Sequence, residues 1–259
     1  MPTLGIFAKR PVPGAVKTRL ATAIGAEAAA RFYEVSLRTL LARMSRIFLR
    51  RVIGIAESGS TAHREVNSES MPPHPSPLPL VPCNGDDTTQ LGGEGDESCR
   101  LSLCLSDLHW FRQFEGYELW PQPAGDLGQK LTAWFDFACS TDDRVLVIGS
   151  DSPTLPLEFI TQAVTALDAC DCVIGPALDG GYYLLGLRCP APQLFNGIEW
   201  STPRVLEQTL TRAAEQGLRV TLLPKWNDVD EVADLAVLRD QLHELSADPV
   251  WDQLRREVD

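Results

Sequence analysis

Lys9, Arg10, Lys17 and Arg19 fall within the first 26 residues, a stretch without one acid in a chain of 259 residues whose formal net charge is −12. They flank a turn-prone Pro11-Val12-Pro13-Gly14. Gly14 and its small neighbours let backbone N–H groups approach an anion, while Lys17 and Arg19, at the start of the next helix, can neutralise phosphate oxygens. A merely solvated basic face is the simpler alternative. The GxxxxGK[ST] spacing is absent, so this is not a Walker A loop.

Four acidic or glycine-bearing places offer complementary chemistry. Asp151 follows the apolar run of "RVLVIGSD", a poor position for packing but a good one for holding Mg²⁺ between protein and phosphate; capping the next helix is its structural alternative. Asp228 and Asp230 precede the last helix, where Asp230 could act as an N-cap or could complete a divalent-cation site with Asp151. Asp179, Gly180 and Gly181 read equally well as a tight hairpin turn and as main chain that approaches a bound acceptor. Asp126, in "PAGDLGQKL", suits either a helix cap or contact with a nucleotide.

These residues need a scaffold that gathers strand ends. "TLGIFA" and "RVIGIA" read as strands, and Tyr33, Leu37, Leu40, Leu41, Met44, Ile47 and Phe48 recur at three and four, the stripe of an amphipathic helix. Further strands are expected near "YELWPQ" and at "RVLVIG", "CVIGPA", "GYYLLGLR" and "LRVTLL". Helices are expected between them over about 128–139, over "LPLEFITQAVTALDA", from a Thr202 cap with Pro203 to a stop at Gly217, and from about Glu231. Strand and helix alternate, which implies an α/β domain with a mostly parallel sheet covered on both faces. In such sheets ligands lie beyond the carboxyl ends of the strands, where the basic loop and Asp151 both fall.

Composition narrows the classes. The acidic balance leaves no domain-wide basic surface for a nucleic-acid backbone. No apolar run approaches the ~20 residues that span a bilayer, and no secretory signal is present, so a cytoplasmic location with no membrane partner is expected. The seven cysteines lack CxxC spacing and read as reduced thiols. His63, His74, His109 and His243 form no ligand pattern. Trp200 and Trp226 are expected in the core or at a cleft rim. Residues 57–100 hold eight acids against two bases, and six prolines fall between Pro72 and Pro82. This reads as a low-complexity acidic insertion within 57–112, disordered over about 60–100, in an otherwise single domain spanning 1–259.

In order along the chain, "IFAKRPVPGAVKTRLA", "GDLGQKL", "IGSDSPTLP", "GPALDGGYYLLGL", "WST" and "DVDEVADL" resemble an uncharacterised bacterial family of GT-A-type transferases with the nucleotide-diphospho-sugar transferase fold. More distantly, "VKTRLA" is similar to the phosphate loop of the 2-phospho-lactate guanylyltransferases, and the plan to the molybdenum-cofactor guanylyltransferases. The resemblance implies a Rossmann-like GT-A domain. Lys9, Lys17 and Arg19 would hold phosphates, Asp151 would bind Mg²⁺ (or Mn²⁺) with Asp230 as second carboxylate, and Asp179, Gly180, Gly181 and Tyr182 would face the acceptor. The chain departs from the pattern in three places: "SDS" carries one carboxylate where a DxD motif has two, Lys130 stands where Arg is more usual, and Glu231-Val232-Ala233 replaces Thr-Pro-Glu.

Together these readings lead to a Mg²⁺-dependent enzyme, with Lys17 and Asp151 as catalytic residues, that transfers a nucleotide from a nucleoside triphosphate to a small acceptor, phosphorylated or not. A GT-A glycosyltransferase using a nucleotide-diphospho-sugar is the alternative within the same cleft. A non-catalytic nucleotide-binding module is the alternative of another class.

Overall fold

The computed structural model describes residues 1–58, 105–245 and 247–258. The segment expected to be disordered over about 60–100 lies outside the described residues.

Seven strands form one sheet: β1 (Thr3–Lys9), β2 (Arg50–Ala56), β3 (Glu118–Pro121), β4 (Val145–Ile148), β5 (Cys172–Pro176), β6 (Tyr182–Leu187) and β7 (Val220–Leu222), in the order β3-β2-β1-β4-β6-β5-β7. β1 pairs in parallel with β2 and β4, and β2–β3 and β5–β7 are also parallel. β6 alone runs antiparallel, between β4 and β5. The short link between β5 and β6, residues 177–181, explains the reversal: a parallel return needs a crossover of a dozen or more residues.

The alternation along β1 shows how the two faces are filled. Leu4, Ile6 and Ala8 point to one side and pack with Tyr33, Leu37, Leu40 and Met44 of α2 (Ala26–Met44). Within the interval 57–112, the described α3 (Leu105–Phe111) adds a fully buried Phe111 to the same core. On the other side, Phe7 meets Trp120 and Trp134, the latter from α4 (Leu127–Ala138). Gly5 faces Trp134 directly: a Cβ there would lie 2.5 Å from the indole, so only glycine lets α4 sit this close to the central strand. The remaining covering helices are α5 (Leu157–Ala166), packed with the first face, and α6 (Val205–Glu215), packed with the second.

A third apolar cluster lies outside α2 and matters most for the site. Leu20 of α1 (Thr18–Ile24), Phe32 and Val35 of α2, Leu238 and Leu242 of α7 (Val232–Glu244), and Leu254 of α8 (Asp252–Val258) close around Val229, which is 1% exposed. The segment 229–258 is thereby docked against the first two helices, bringing Asp230 to the basic loop. The sequence reading lacks α8, whose seven residues are too few to show a periodic stripe. α6 begins at Val205 rather than at the Thr202-Pro203 start expected, because the Thr202 hydroxyl donates to the Glu199 carbonyl in a turn that also holds Ser201 at φ 62. Among the described residues no helix is long and apolar enough to cross a membrane.

Candidate functional site

The carboxyl ends of β1 and β4 open into a cavity of about 400 Å³. β1 ends at Lys9, whose N–H donates to the Tyr33 hydroxyl at 3.1 Å, and that hydroxyl lies 2.9 Å from Ser150 Oγ just past β4. Tyr33 thus ties the two strand exits together from beneath. Burial, helped by the negative charge of Asp151, pushes its phenol up to about 12, so it serves as a neutral bridge.

Lys17 is the centre of the arrangement. It caps the start of α1 in a left-handed conformation, φ 47 and ψ 46, without donating or accepting a side-chain cap bond. A non-glycine residue there costs roughly 1–3 kcal/mol, strain that concentrates at functional sites. Its side chain is 3% exposed, and its ammonium meets both Asp151 and Asp230, the latter at 2.8 Å. Burial alone would lower the lysine pKa, but the two carboxylates outweigh it and hold the pKa above the ordinary value. Asp151 and Asp230 remain 43% and 44% exposed, so each keeps open oxygen for another partner.

The loops that carry these acids are laced to each other. The Val229 N–H donates to the Asp151 carbonyl at 3.0 Å, and the Ser152 hydroxyl donates to Asp228. Burial, with the charges of Asp151, Asp230 and Asp179 added, raises the Asp228 carboxyl to about 6. Asp234, not Asp230, receives the N–H groups at the start of α7: those of Asp230 and Glu231 reach its carboxylate at 2.8 and 2.7 Å. Asp230 is thereby left to Lys17. Asp151 likewise caps nothing, since α5 begins only after Pro156.

The other expected residues divide. Lys9 and Arg19 line the cavity with Lys17, Asp151 and Asp230, and Lys130 joins them. Burial and the nearby charge of Lys9 lower the Lys130 pKa, with Asp126 only partly offsetting them. Arg10 turns instead to the buried Asp107, at 2.8 Å. Gly14 makes the turn at φ 80 but does not line the cavity; its neighbours Ala15 and Val16 do. Asp126 caps α4, accepting from the Gln129 N–H at 2.9 Å while Gln129 returns the bond. Asp179 accepts from the Gly181 N–H at 2.9 Å within the hairpin. Gly180, at φ 91, lies so close to Pro203 that a Cβ would come within 2.2 Å of its carbonyl oxygen. Tyr182 packs into the second core face with its hydroxyl buried beside Thr209, away from any acceptor. Trp200 packs with that same face, and Trp226 stands edge-on to Phe159. Tyr33, Ser150 and Gln122 line the cavity without having been singled out in the sequence.

Asp151 and Asp230 are hard oxygen donors that already share one cation, Lys17, and they stay accessible. That fits Mg²⁺ or Mn²⁺, which commonly takes one or two carboxylates and completes its shell with substrate phosphates and water. Among the described residues no group of three or more His, Cys, Asp or Glu side chains forms a metal cage.

Order, reversal of β6 and site position define an α/β fold of the nucleotide-diphospho-sugar transferase type. A crystal structure of a protein from Desulfovibrio desulfuricans G20, provisionally named a nucleotide-diphospho-sugar transferase, aligns with a TM-score of 0.72 and 28% identity over 100% of this chain and 99% of that one. Residues 95–202 match the model of a family described as an uncharacterized protein conserved in bacteria, DUF2064, in keeping with the resemblance read from the motifs. No curated protein matches the chain.

Proposed function

We propose that the chain is a divalent-cation-dependent transferase acting on nucleotide phosphates, and that it moves a nucleotidyl group from a nucleoside triphosphate to a small acceptor. One observation carries the reading: among the described residues, Lys9, Lys17, Arg19 and Lys130 line the cavity against two carboxylates, Asp151 and Asp230, so its described walls carry an excess of positive charge. Burial and the charge of Lys9 disfavour the charged form of Lys130 there, and a polyphosphate would relieve that repulsion.

In this reaction an acceptor oxygen attacks the α-phosphorus. A new P–O bond forms, the bond to the bridging α,β oxygen breaks, pyrophosphate leaves with that electron pair, and the acceptor's proton passes to water. Lys17 and Arg19 meet the charge that builds on the leaving group, where fixed cations stabilise the transition state more than the ground state. Asp151 and Asp230 would hold a divalent cation, which when bound polarises the phosphoryl oxygens. Tyr33 keeps the two strand exits at a fixed separation, so that cations and carboxylates face one ligand.

The name given to the Desulfovibrio relative favours a second reading, transfer of a sugar from a nucleotide-diphospho-sugar in the same cleft. There the broken bond joins the sugar's anomeric carbon to the diphosphate, and a nucleoside diphosphate leaves. A melting-temperature screen of nucleoside triphosphates and nucleotide sugars, with and without Mg²⁺ or Mn²⁺, tests the common core. Ligand at 100 times its Kd stabilises by about 2.7 kcal/mol. A metal-dependent shift followed by pyrophosphate release supports nucleotidyl transfer, and release of nucleoside diphosphate supports glycosyl transfer. A metal-independent shift without turnover over a broad acceptor panel reduces the chain to a binding module, and no shift with any nucleotide overturns the proposal.

A further inference from the structure

A second cavity, of about 420 Å³, shares no lining residue with the first. It lies between the end of α2, the loop after Asp151, the end of α7 and the segment that leads into α8. Its charge is arranged in layers. Arg43 is the buried one, at 6% exposure. Its Nη1 donates to the Pro153 carbonyl at 2.6 Å, and its guanidinium lies 4.4 Å from the centre of the Trp251 ring. Among the described residues no carboxylate comes within ion-pair distance of it. Arg46, just past the end of α2, differs in being held by both carboxylate oxygens of Asp248.

A guanidinium has five N–H donors, and burying it beside one carbonyl and an aromatic face leaves most of its hydrogen-bonding edge without an anion. Burial, reinforced by the like charge of Arg46, lowers its pKa to about 10, with the charges of Glu158 and Asp248 only partly offsetting them. Leu157, Leu245, Val250 and the indoles of Trp226 and Trp251 supply apolar lining. Glu158 and Glu244 also line the cavity, but both are exposed. The buried cation thus sits among apolar side chains, the hydrogen-bonded pair Thr154 and Gln241 and the Arg46–Asp248 ion pair, with the exposed acids at the mouth.

We propose that this cavity is a second ligand site, for a small carboxylate on a compact apolar body, with the carboxylate on Arg43. Arginine pairs with a carboxylate through two parallel N–H···O bonds, which suits the free edge of this side chain. The acids at the mouth further favour a ligand that carries a cationic group beside its carboxylate, as an apolar α-amino acid does, over a simple carboxylic acid. The site is independent of the nucleotide reading: it stands or falls without reference to the first cavity.

The test is calorimetric titration of the full chain with three probes: phenylalanine, 3-phenylpropionate, which lacks the ammonium, and phenethylamine, which lacks the carboxylate. Phenylalanine is expected to bind with a Kd of about 1 mM or tighter, phenylpropionate roughly tenfold more weakly, and phenethylamine not measurably. Arg43→Met removes the anion partner. Because that change also strips a buried side chain, Leu157→Trp serves as the second variant, filling the cavity without touching the guanidinium. Each is expected to weaken phenylalanine binding by at least roughly tenfold, while Leu157→Trp keeps the wild-type melting response to nucleotide. If phenylpropionate equals or exceeds phenylalanine, the carboxylate site stands and the preference for an added cation is overturned. Absence of saturable binding by either carboxylate, equal binding of phenethylamine, or unchanged affinity in Leu157→Trp overturns the site itself.

Discussion

Both ends of the central strand β1 are ringed with charge, yet the two ends are built differently. At the amino end, Asp142 accepts from the Thr3 hydroxyl, from the amino terminus at 3.1 Å and from Arg50 at 3.3 Å. Arg50 grips both oxygens of Glu118 on β3, at 3.0 and 2.9 Å, and reaches Thr141 at 2.8 Å. Two cations face two acids and their bonds close on one another, so the cluster pins β1, β3 and the turn before β4 and leaves nothing to offer a ligand. At the carboxyl end, four cations and two acids line the cavity among the described residues, with Glu231 3.9 Å from Arg19; a lysine is held in a strained backbone conformation, and the carboxylates stay open. The two ends are alike in density of charge and differ in its balance.

The largest effect is expected at the unbalanced end. Lys17→Met and Asp151→Asn should each weaken metal-dependent nucleotide binding by roughly a hundredfold, the scale for losing a charge-assisted partner in a partly buried site. Titration with the tightest nucleotide from the melting screen measures it, and a change of only a few-fold in both variants would erase the contrast between the two ends.

At the balanced end the effect should be on stability alone. Burial raises the Asp142 pKa, but the bonds from Thr3, the amino terminus and Arg50 outweigh it and hold the pKa below the ordinary value. A carboxyl depressed in the folded state stabilises the protein above its unfolded pKa of about 3.9, and that contribution fades as pH falls through the folded value. Asp142→Asn is therefore expected to cost about 2 kcal/mol in urea unfolding at neutral pH, a deficit that shrinks in acid, with nucleotide affinity unchanged. A loss of nucleotide affinity matching that of Asp151→Asn would show that the closed network also serves the ligand.

The smallest effect sharpens the comparison from within the cleft's own neighbourhood. Asp126 sits beside the cavity but is committed to capping α4, so Asp126→Ala should lower stability by about 1 kcal/mol and leave nucleotide affinity within a few-fold of wild type. An affinity loss exceeding the stability loss would return Asp126 to the ligand.

The layout of strands and helices is legible in the sequence because apolar runs of four to seven residues alternate with stripes of period three and four. The basic loop and Asp151 stand out for the same local reason: charge sits where packing does not want it. What escapes are facts of tertiary geometry. Tyr33 counts in the periodicity as one more apolar residue of α2, and its hydroxyl gains a role only once β1 and β4 lie side by side. Asp230 reads as an N-cap on paper, but the fold puts Glu231 at the cap position and gives the N–H groups of Asp230 and Glu231 to Asp234. Tyr182 and Tyr183 are neighbours in one strand, and the pleat sends their rings to opposite faces, the first into one core and the second to the Pro224 carbonyl at 2.9 Å. Lys17 is the half-legible case: its place in a basic loop at a strand end is readable, whereas its embrace by two distant acids is not.

The one reversed strand has a consequence of its own. Because β6 enters the sheet from the rim where its parallel neighbours leave it, the five residues linking it to β5 overhang the same edge as the basic loop. Such a link can be lengthened or recut without shifting the register of any crossover, and each doubling of its length costs only ~0.6 kcal/mol of closure entropy. Two of its five positions, Leu178 and Asp179, are exposed, whereas Ala177 is buried and Gly180 is locked against Pro203, so the awning can be retrimmed at its outer hem while the floor beneath stays as it is.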